Sequence, residues 1–250
     1  KRELADSDQE GEELYEKATY ILQYCNELQA DYSSMARVKP PLRIGIPPML
    51  STVFFPELLI AFHQEYPNIA VVLEEYGSVR ACNLVQNDTL DLALVNMEQY
   101  NIDKFHNAVL ANDQIVFCVS NDHPLADKEV VTLKEMSKES LIFFNADSVQ
   151  NQLIKTRFEM EGYTPNIVMR SSQIHTTLQF VKTCKYSCFL YSSISFSITG
   201  IPLSSPIHIK IGMIWKKGKY ISGDMQKFLN FTRMYYREHP LTQKLSTPRS

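Results

Sequence analysis

Hydrophobic positions near the start of the chain recur at alternating intervals of four and three residues. This repeat predicts a helix from about Glu12 to Arg37 whose apolar seam is typical of a coiled coil and whose outer face is polar. The seam positions are Leu14, Ala18, Ile21, Cys25, Leu28, Tyr32 and Met35. We expect a dimer-forming helix; the alternative is a single amphipathic helix that packs its stripe on its own globular part. Pro40 and Pro41 end the helix in either case.

Beyond the two prolines, short apolar runs alternate with amphipathic segments, which predicts an α/β architecture. Strands are expected at 42–46, 69–73, 90–95, 108–111, 115–120, 141–144, 166–170, 188–191 and 207–215, with a loop at 47–52. Helices are expected after Pro56, at 79–86 with Ser78 as the cap, and at 149–161, 173–183 and 223–237. A break at 121–125 divides this series, so we expect one lobe of residues 40–121 with 208–250, a second lobe of residues 122–207, and a cleft between them.

Composition narrows the class of protein. The chain has 250 residues, is 44% hydrophobic and carries a net charge of −3, so it has no basic footprint for strong DNA binding. It has no apolar run of ~18 residues and no apolar signal segment, which predicts a cytoplasmic protein without a membrane partner. Five cysteines without repeated spacing are expected to be reduced thiols, although Cys184 and Cys188 could form a redox pair or hold a metal. We expect neither a metal site nor a cofactor.

The order of motifs resembles the effector-binding half of LysR-type transcriptional regulators. The segments that carry the resemblance are 11–18, 42–46, 55–59 with 61–62, 66–69, 90–94, 121–125, Val181 and 214–218. Two features depart from the family pattern. The DNA-binding winged helix-turn-helix is missing, with residues 1–10 similar to its last few residues, so the chain is interpreted as a truncated regulator. Residues 185–191 replace the usual glycine-rich turn, apolar strand and proline.

The resemblance implies a type 2 periplasmic-binding-protein-like fold with two α/β lobes joined by two crossing segments. It also implies a small-molecule effector in the cleft and antiparallel pairing of effector domains in a homodimer or homotetramer. DNA would be bound through the missing N-terminal domain alone.

Ligands of open α/β sheets bind outside the carboxyl ends of the strands, where loops and helix N-termini converge. The effector-binding residues predicted there are Ser51, Thr52, Asn96, Met97, Asn145, Ser148, Ser171, Ser172, His175 and Tyr191. The alternative for each serine or threonine is a simple helix cap. The loops predicted to line the cleft contain no Arg or Lys, so we expect a neutral, zwitterionic or singly charged ligand, with Met97 and Tyr191 as apolar walls. The alternative is that Arg43, Arg80 or Arg170 reaches the cleft from outside these loops.

Two other classes of protein fit the sequence less well. An enzyme lacks support, because the sequence has no nucleophile elbow, no His-Glu-x-x-His motif and no P-loop. A solute-binding receptor of a transport system shares the two-lobed fold, but it would need export, and the heptad helix argues against it.

Overall fold

The computed structural model describes residues 11–22, 24–25, 28, 40–98, 101–194 and 198–240. The chain divides into two compact units, residues 1–40 and residues 41–250. In the first unit every described residue from 11 to 28 is helical. Leu14, Ala18, Ile21, Cys25 and Leu28 lie on this helix, whereas Tyr32 and Met35 fall outside the described residues. The predicted helix is therefore confirmed over its described part, and association through its seam stays a prediction.

The second unit contains nine strands and seven helices among its described residues. The strands are β1 (Leu42–Ile46), β2 (Val71–Glu75), β3 (Leu92–Asn96), β4 (Phe105–Val119), β5 (Leu141–Phe143), β6 (Ile167–Arg170), β7 (Ser187–Tyr191), β8 (Thr199–Pro202) and β9 (His208–Lys216). The helices are α1 (Pro48–Val53), α2 (Phe55–Glu65), α3 (Ser78–Gln86), α4 (Leu133–Met136), α5 (Val149–Met160), α6 (Ile174–Val181) and α7 (Gly223–Glu238), with a 3₁₀ turn at Ile102–Lys104.

The strands follow the order β2-β1-β3-β9-β4-β7-β5-β6, and β8 also pairs with β4. From Phe105 to Gln114, β4 runs antiparallel to β9, and from Ile115 onward it pairs with β7 and β8. We call β1, β2, β3, β9 and the Phe105–Gln114 part of β4 the first half, and the rest of β4 with β5 to β8 the second half. The long strand β4 is thus shared by both halves.

Continuous apolar strands form the centre of each half. All residues of β3 in the first half and of β7 in the second are buried, as expected for strands covered on both faces. On the first half, Phe62 of α2 packs edge-on against Phe228 and Phe231 of α7. Because each fully buried phenylalanine contributes about 1.5–3 kcal/mol, this aromatic contact fixes α7 on α2.

The structure differs from the sequence prediction at several elements, among them β8 and α4, which were not predicted. Residues 48–53 form helix α1 rather than a loop, because proline is accepted in a first helical turn. The two strands predicted at 108–111 and 115–120 are one strand, β4. Gly77, not Ser78, caps α3, and the Ser78 hydroxyl instead accepts a hydrogen bond from Asn96 N at 3.1 Å.

The predicted lobe boundaries stay predictions, although the strand partner changes within β4, before residue 121. Within the described part of the chain, no helix has the length and apolar character needed to cross a membrane.

Candidate functional site

Two adjoining cavities lie between the halves, at the carboxyl ends of β1, β2, β5 and β7. The first has a volume of about 200 Å³ and is bounded by the start of α1, the β2–α3 turn, the β5–α5 loop and Tyr191. The second, of about 740 Å³, is bounded by α1 and the first turns of α6. They share Pro48, Glu75 and Ser172, so they form a single cleft.

Six of the predicted site residues line this cleft. Asn145, Ser148 and Tyr191 line the first cavity, Thr52 and His175 line the second, and Ser172 lines both. Residues from distant parts of the chain are therefore brought together as the sequence predicts. Their role in binding is not tested by this placement and stays a proposal.

The other four predicted residues are not among those lining either cavity. Met97 is buried in the core, where its side chain packs at Gly212 of β9, so it is not an apolar wall of the cleft. The Ser51 hydroxyl bonds Pro48 O and the Glu75 carboxylate. Ser171 Oγ accepts from Gln173 N at 3.1 Å. Asn96 is buried behind the first cavity, in contact with Tyr191.

The β2–α3 turn supplies residues that the sequence prediction missed. Glu75, Tyr76 and Gly77 all line the first cavity. Applying the strand-end rule to β2 as well as to β1 and β3 would have found this turn. Arg80, which the sequence analysis left open as a residue reaching the cleft from outside the chosen loops, lines the first cavity. Its guanidinium carbon lies 4.7 Å from the centre of the Tyr76 ring.

The two halves touch across the mouth of the first cavity. Gly77 N, at the N-terminus of α3, donates a hydrogen bond of 2.9 Å to Asp147 Oδ2 in the β5–α5 loop. A Cβ placed on Gly77 would lie 2.3 Å from Asp147 Cγ. Glycine is therefore required for this contact to form.

The N-terminus of α5 faces the same cavity. Its cap, Ser148, makes no side-chain hydrogen bond to the helix, so first-turn N–H groups are left for another acceptor. Gln150 Nε2 donates to Phe189 O at 2.7 Å, and its buried Oε1 has no partner among the described residues. With one guanidinium and two carboxylates, the first cavity suits a ligand that carries both acceptors and donors.

At the base of the cavity, Asn96 Nδ2 donates to Tyr191 Oη at 3.4 Å. Burial, with a smaller contribution from the charge of Asp113, raises the pKa of Tyr191, so the phenol keeps its proton. Asp113 is buried in β4 and accepts hydrogen bonds from the hydroxyls of Ser192 and Ser193, each at 2.5 Å.

The described cysteines give no support to a Cys184–Cys188 pair. Cys188 is buried in register with Cys118 on β4, and Cys184 is half-buried. A hydrogen bond with Cys118, together with burial, raises the pKa of the Cys188 thiol, which makes it a poor nucleophile. In the described part of the chain, no group of three or more His, Cys, Asp or Glu side chains is placed to hold a metal ion.

Comparison with known proteins identifies the class. Residues 36–237 match the family model of the LysR substrate binding domain. The uncharacterized HTH-type transcriptional regulator YwbI of Bacillus subtilis is 31% identical over 205 residues, which cover 79% of this chain and 67% of that protein. The transcriptional dual regulator GltC of the same organism is 21% identical over 202 residues, which cover 78% of this chain and 67% of that regulator.

Solved structures show the same fold. The effector binding domain of QuiR in complex with shikimate has a TM-score of 0.70 at 20% identity, covering 81% of this chain and 99% of that one. The regulatory domain of CcmR from Synechocystis PCC6803 in complex with 2-PG has a TM-score of 0.72 at 20% identity, covering 80% and 98%.

The chain belongs to the LysR substrate-binding-domain family, and its fold is type 2 periplasmic-binding-protein-like. It is the effector-sensing part of a LysR-type transcriptional regulator rather than a transport receptor. The relatives it matches are regulators of transcription, not enzymes.

Proposed function

We propose that the first cavity and its wider neighbour bind the small-molecule effector, and that binding changes the geometry of a homodimer or homotetramer. The observation that carries this proposal is that both halves supply walls of one cleft. A ligand that fills the cleft contacts both halves. It therefore favours conformers in which the distance between the halves suits the ligand, and it increases their population. In the full regulator, which acts in the cytoplasm, this change alters how an N-terminal winged helix-turn-helix binds DNA.

The proposed ligand is neutral, zwitterionic or singly charged. Among the described residues, Arg80 is the one Arg or Lys lining the first cavity, which Glu75 and Asp147 also line, and Lys182 lines the second cavity. In the first cavity a di- or tricarboxylate would meet two acids and a single guanidinium, whereas tight polyanion sites normally supply bidentate Arg or clustered Lys. Hydroxyls, amides and the N-terminus of α5 complete the polar contacts.

Screening the chain against a panel of metabolites by thermal shift tests the proposal, because a ligand of the folded state raises its melting temperature by mass action. Thr52→Ala and Ser172→Ala each remove a hydroxyl from the cleft. We expect each to weaken binding of the ligand found by ~1 kcal/mol or more, with little change in folding.

Thr183→Ala is the matched control. Like the Thr52 hydroxyl, which donates to Pro48 O, the Thr183 hydroxyl donates to a carbonyl of its own helical turn, that of Phe180, and Thr183 is not among the residues lining the cleft. Tight binding of a tricarboxylate that neither cleft variant alters would show that the site or its polarity is misplaced.

A further inference from the structure

The orientation of the Asn96 amide determines that the Tyr191 hydroxyl accepts, rather than donates, the hydrogen bond between them. Asn96 Oδ1 accepts a hydrogen bond of 3.1 Å from Glu98 N, and this leaves the amide nitrogen toward Tyr191. Nδ2 donates to Tyr191 Oη at 3.4 Å. A phenol has one proton to donate, and a neighbouring N–H cannot accept it.

The proton of Tyr191 is therefore left for another acceptor. Among the described residues no acceptor for it is found, although Tyr191 is only 4% exposed. A buried hydroxyl proton without a partner costs free energy. Tyr191 also lines the first cavity, so a bound molecule can supply the missing acceptor.

Asp113 positions Tyr191 through the two serines that follow it. Ser192 and Ser193 follow Tyr191 directly, and both hydroxyls donate to the Asp113 carboxylate, together with Ser193 N at 3.2 Å. Ser192 N also donates to Gln114 O at 2.9 Å. A carboxylate can accept from all of these donors, whereas an asparagine would turn an N–H toward some of them.

This arrangement lies where β4 passes from the first half to the second. Asp113 is 2% exposed, and among the described residues no cation forms an ion pair with it. The serine donors offset the cost of burying the Asp113 carboxylate, and their hydrogen bonds hold the end of β7 against β4.

We propose that Tyr191 selects effectors that carry an acceptor oxygen, such as a carboxylate, carboxamide or carbonyl group, and that Asn96 and Asp113 are positioning residues for its hydroxyl. The proposal rests on the proposed function of the cleft. It replaces the apolar role that the sequence suggests for Tyr191 with a directed hydrogen bond.

The test uses three small probes of similar shape that share a hydroxyl on their second carbon: lactate, lactamide and 3-methylbutan-2-ol, in which an isopropyl group replaces the carboxylate or carboxamide. The first two carry a carbonyl acceptor, and they differ in charge. Dissociation constants are measured on the full chain by ligand-observed NMR. We expect lactate and lactamide to bind about fivefold or more tighter than 3-methylbutan-2-ol, which is the effect of one good hydrogen bond.

Tyr191→Phe removes the hydroxyl alone, and we expect it to abolish this preference without weakening the binding of 3-methylbutan-2-ol. Asn96→Asp is a second variant that leaves Tyr191 intact: its carboxylate accepts the phenol proton, so the preference is again lost. Tyr236→Phe is the matched control, because Tyr236 is also buried but its hydroxyl donates to Phe54 O, outside the cleft. Asp113→Asn should reduce the preference in part.

A preference that survives both Tyr191→Phe and Asn96→Asp overturns the proposal. A preference for lactate that lactamide does not share overturns it as well, since the charge would then decide. If none of the probes binds, the donor role is wrong, while the effector cleft is still judged by the metabolite screen and the Thr52 and Ser172 variants.

Discussion

Gly77 lies where the two walls of the cleft touch, and its lack of a side chain is a steric requirement. Its φ is −59°, a value that alanine also adopts, so a substitution acts through contact alone. In Gly77→Ala the new methyl carbon would lie 2.3 Å from Asp147 Cγ and 2.6 Å from Asp147 O. We expect the hydrogen bond to Asp147 to break and the free energy of unfolding to fall by about 1–3 kcal/mol, measured by urea denaturation.

Gly223→Ala is the control for this prediction. Gly223 also begins a helix, and a Cβ placed there meets nothing within 4 Å. Its free energy of unfolding should change by no more than about 0.5 kcal/mol. Equal effects of the two substitutions would contradict the steric account.

Individual site residues were predictable from sequence where they follow a strand whose end is obvious. Asn145, Ser148 and Tyr191 follow or end buried apolar strands, and the cleft contains all three. Met97 follows such a strand too, but it packs at Gly212 because β9 offers no side chain there. That pairing joins distant segments of the chain, which a local pattern does not show.

At the scale of elements, a group of charges joins the starts of β1 and β3 to the turn after β9. Asp91 accepts from Arg43 N at 2.8 Å and from Lys219 Nζ at 2.9 Å. Burial opposes ionisation of Asp91, but these donors outweigh it, and the net pKa of Asp91 is lowered. Because the pKa is lower in the folded state, the carboxylate stabilises the fold above pH ~4 and loses this effect as the pH falls further.

Asp91→Asn should therefore lower the free energy of unfolding by about 1–2 kcal/mol at pH 7. The difference from the unaltered chain should shrink below pH ~4, since both then carry an uncharged group at this position. Urea denaturation at pH 7 and pH 3 measures both effects. Asp122→Asn, at an exposed position, is the control and should change little at either pH. A difference independent of pH would show that charge is not the cause.

Elements were predicted well where one physical signal dominates. The apolar runs of β1, β3 and β7 identify them, since strands covered on both faces lack alternation. Helix α1 was missed because two adjacent prolines suggest a loop, although one of them begins the helix. The polar run Asn112-Asp113-Gln114 suggests a break in β4, yet Asp113 stays buried because two serines from a distant turn satisfy it.

At the scale of the whole molecule, the chain passes between the halves within β4 and again between β8 and β9, so a change of spacing across the cleft is absorbed at these two passages. The series of α/β units predicts two halves from the sequence alone. The contact between Gly77 and Asp147 depends on the distance between the halves, and the order of strands and helices along the chain does not predict that distance.

Assembly of several copies provides the last prediction. Ile21 lies on the predicted seam and Leu22 beside it, and the two are 60% and 65% exposed in the single chain. If the seam joins two chains, Ile21→Lys places a charge in a buried interface, whereas Leu22→Lys leaves its charge in water. We expect Ile21→Lys to raise the dissociation constant for self-association tenfold or more, equivalent to about 1.4 kcal/mol, and Leu22→Lys to leave it unchanged. Sedimentation velocity at micromolar concentration measures this.

Deleting residues 1–39 should have the same effect as Ile21→Lys and leave the association between effector domains, so tetramers become dimers rather than monomers. Equal behaviour of the two lysine variants would exclude the seam, and a monomeric unaltered chain would exclude both contacts.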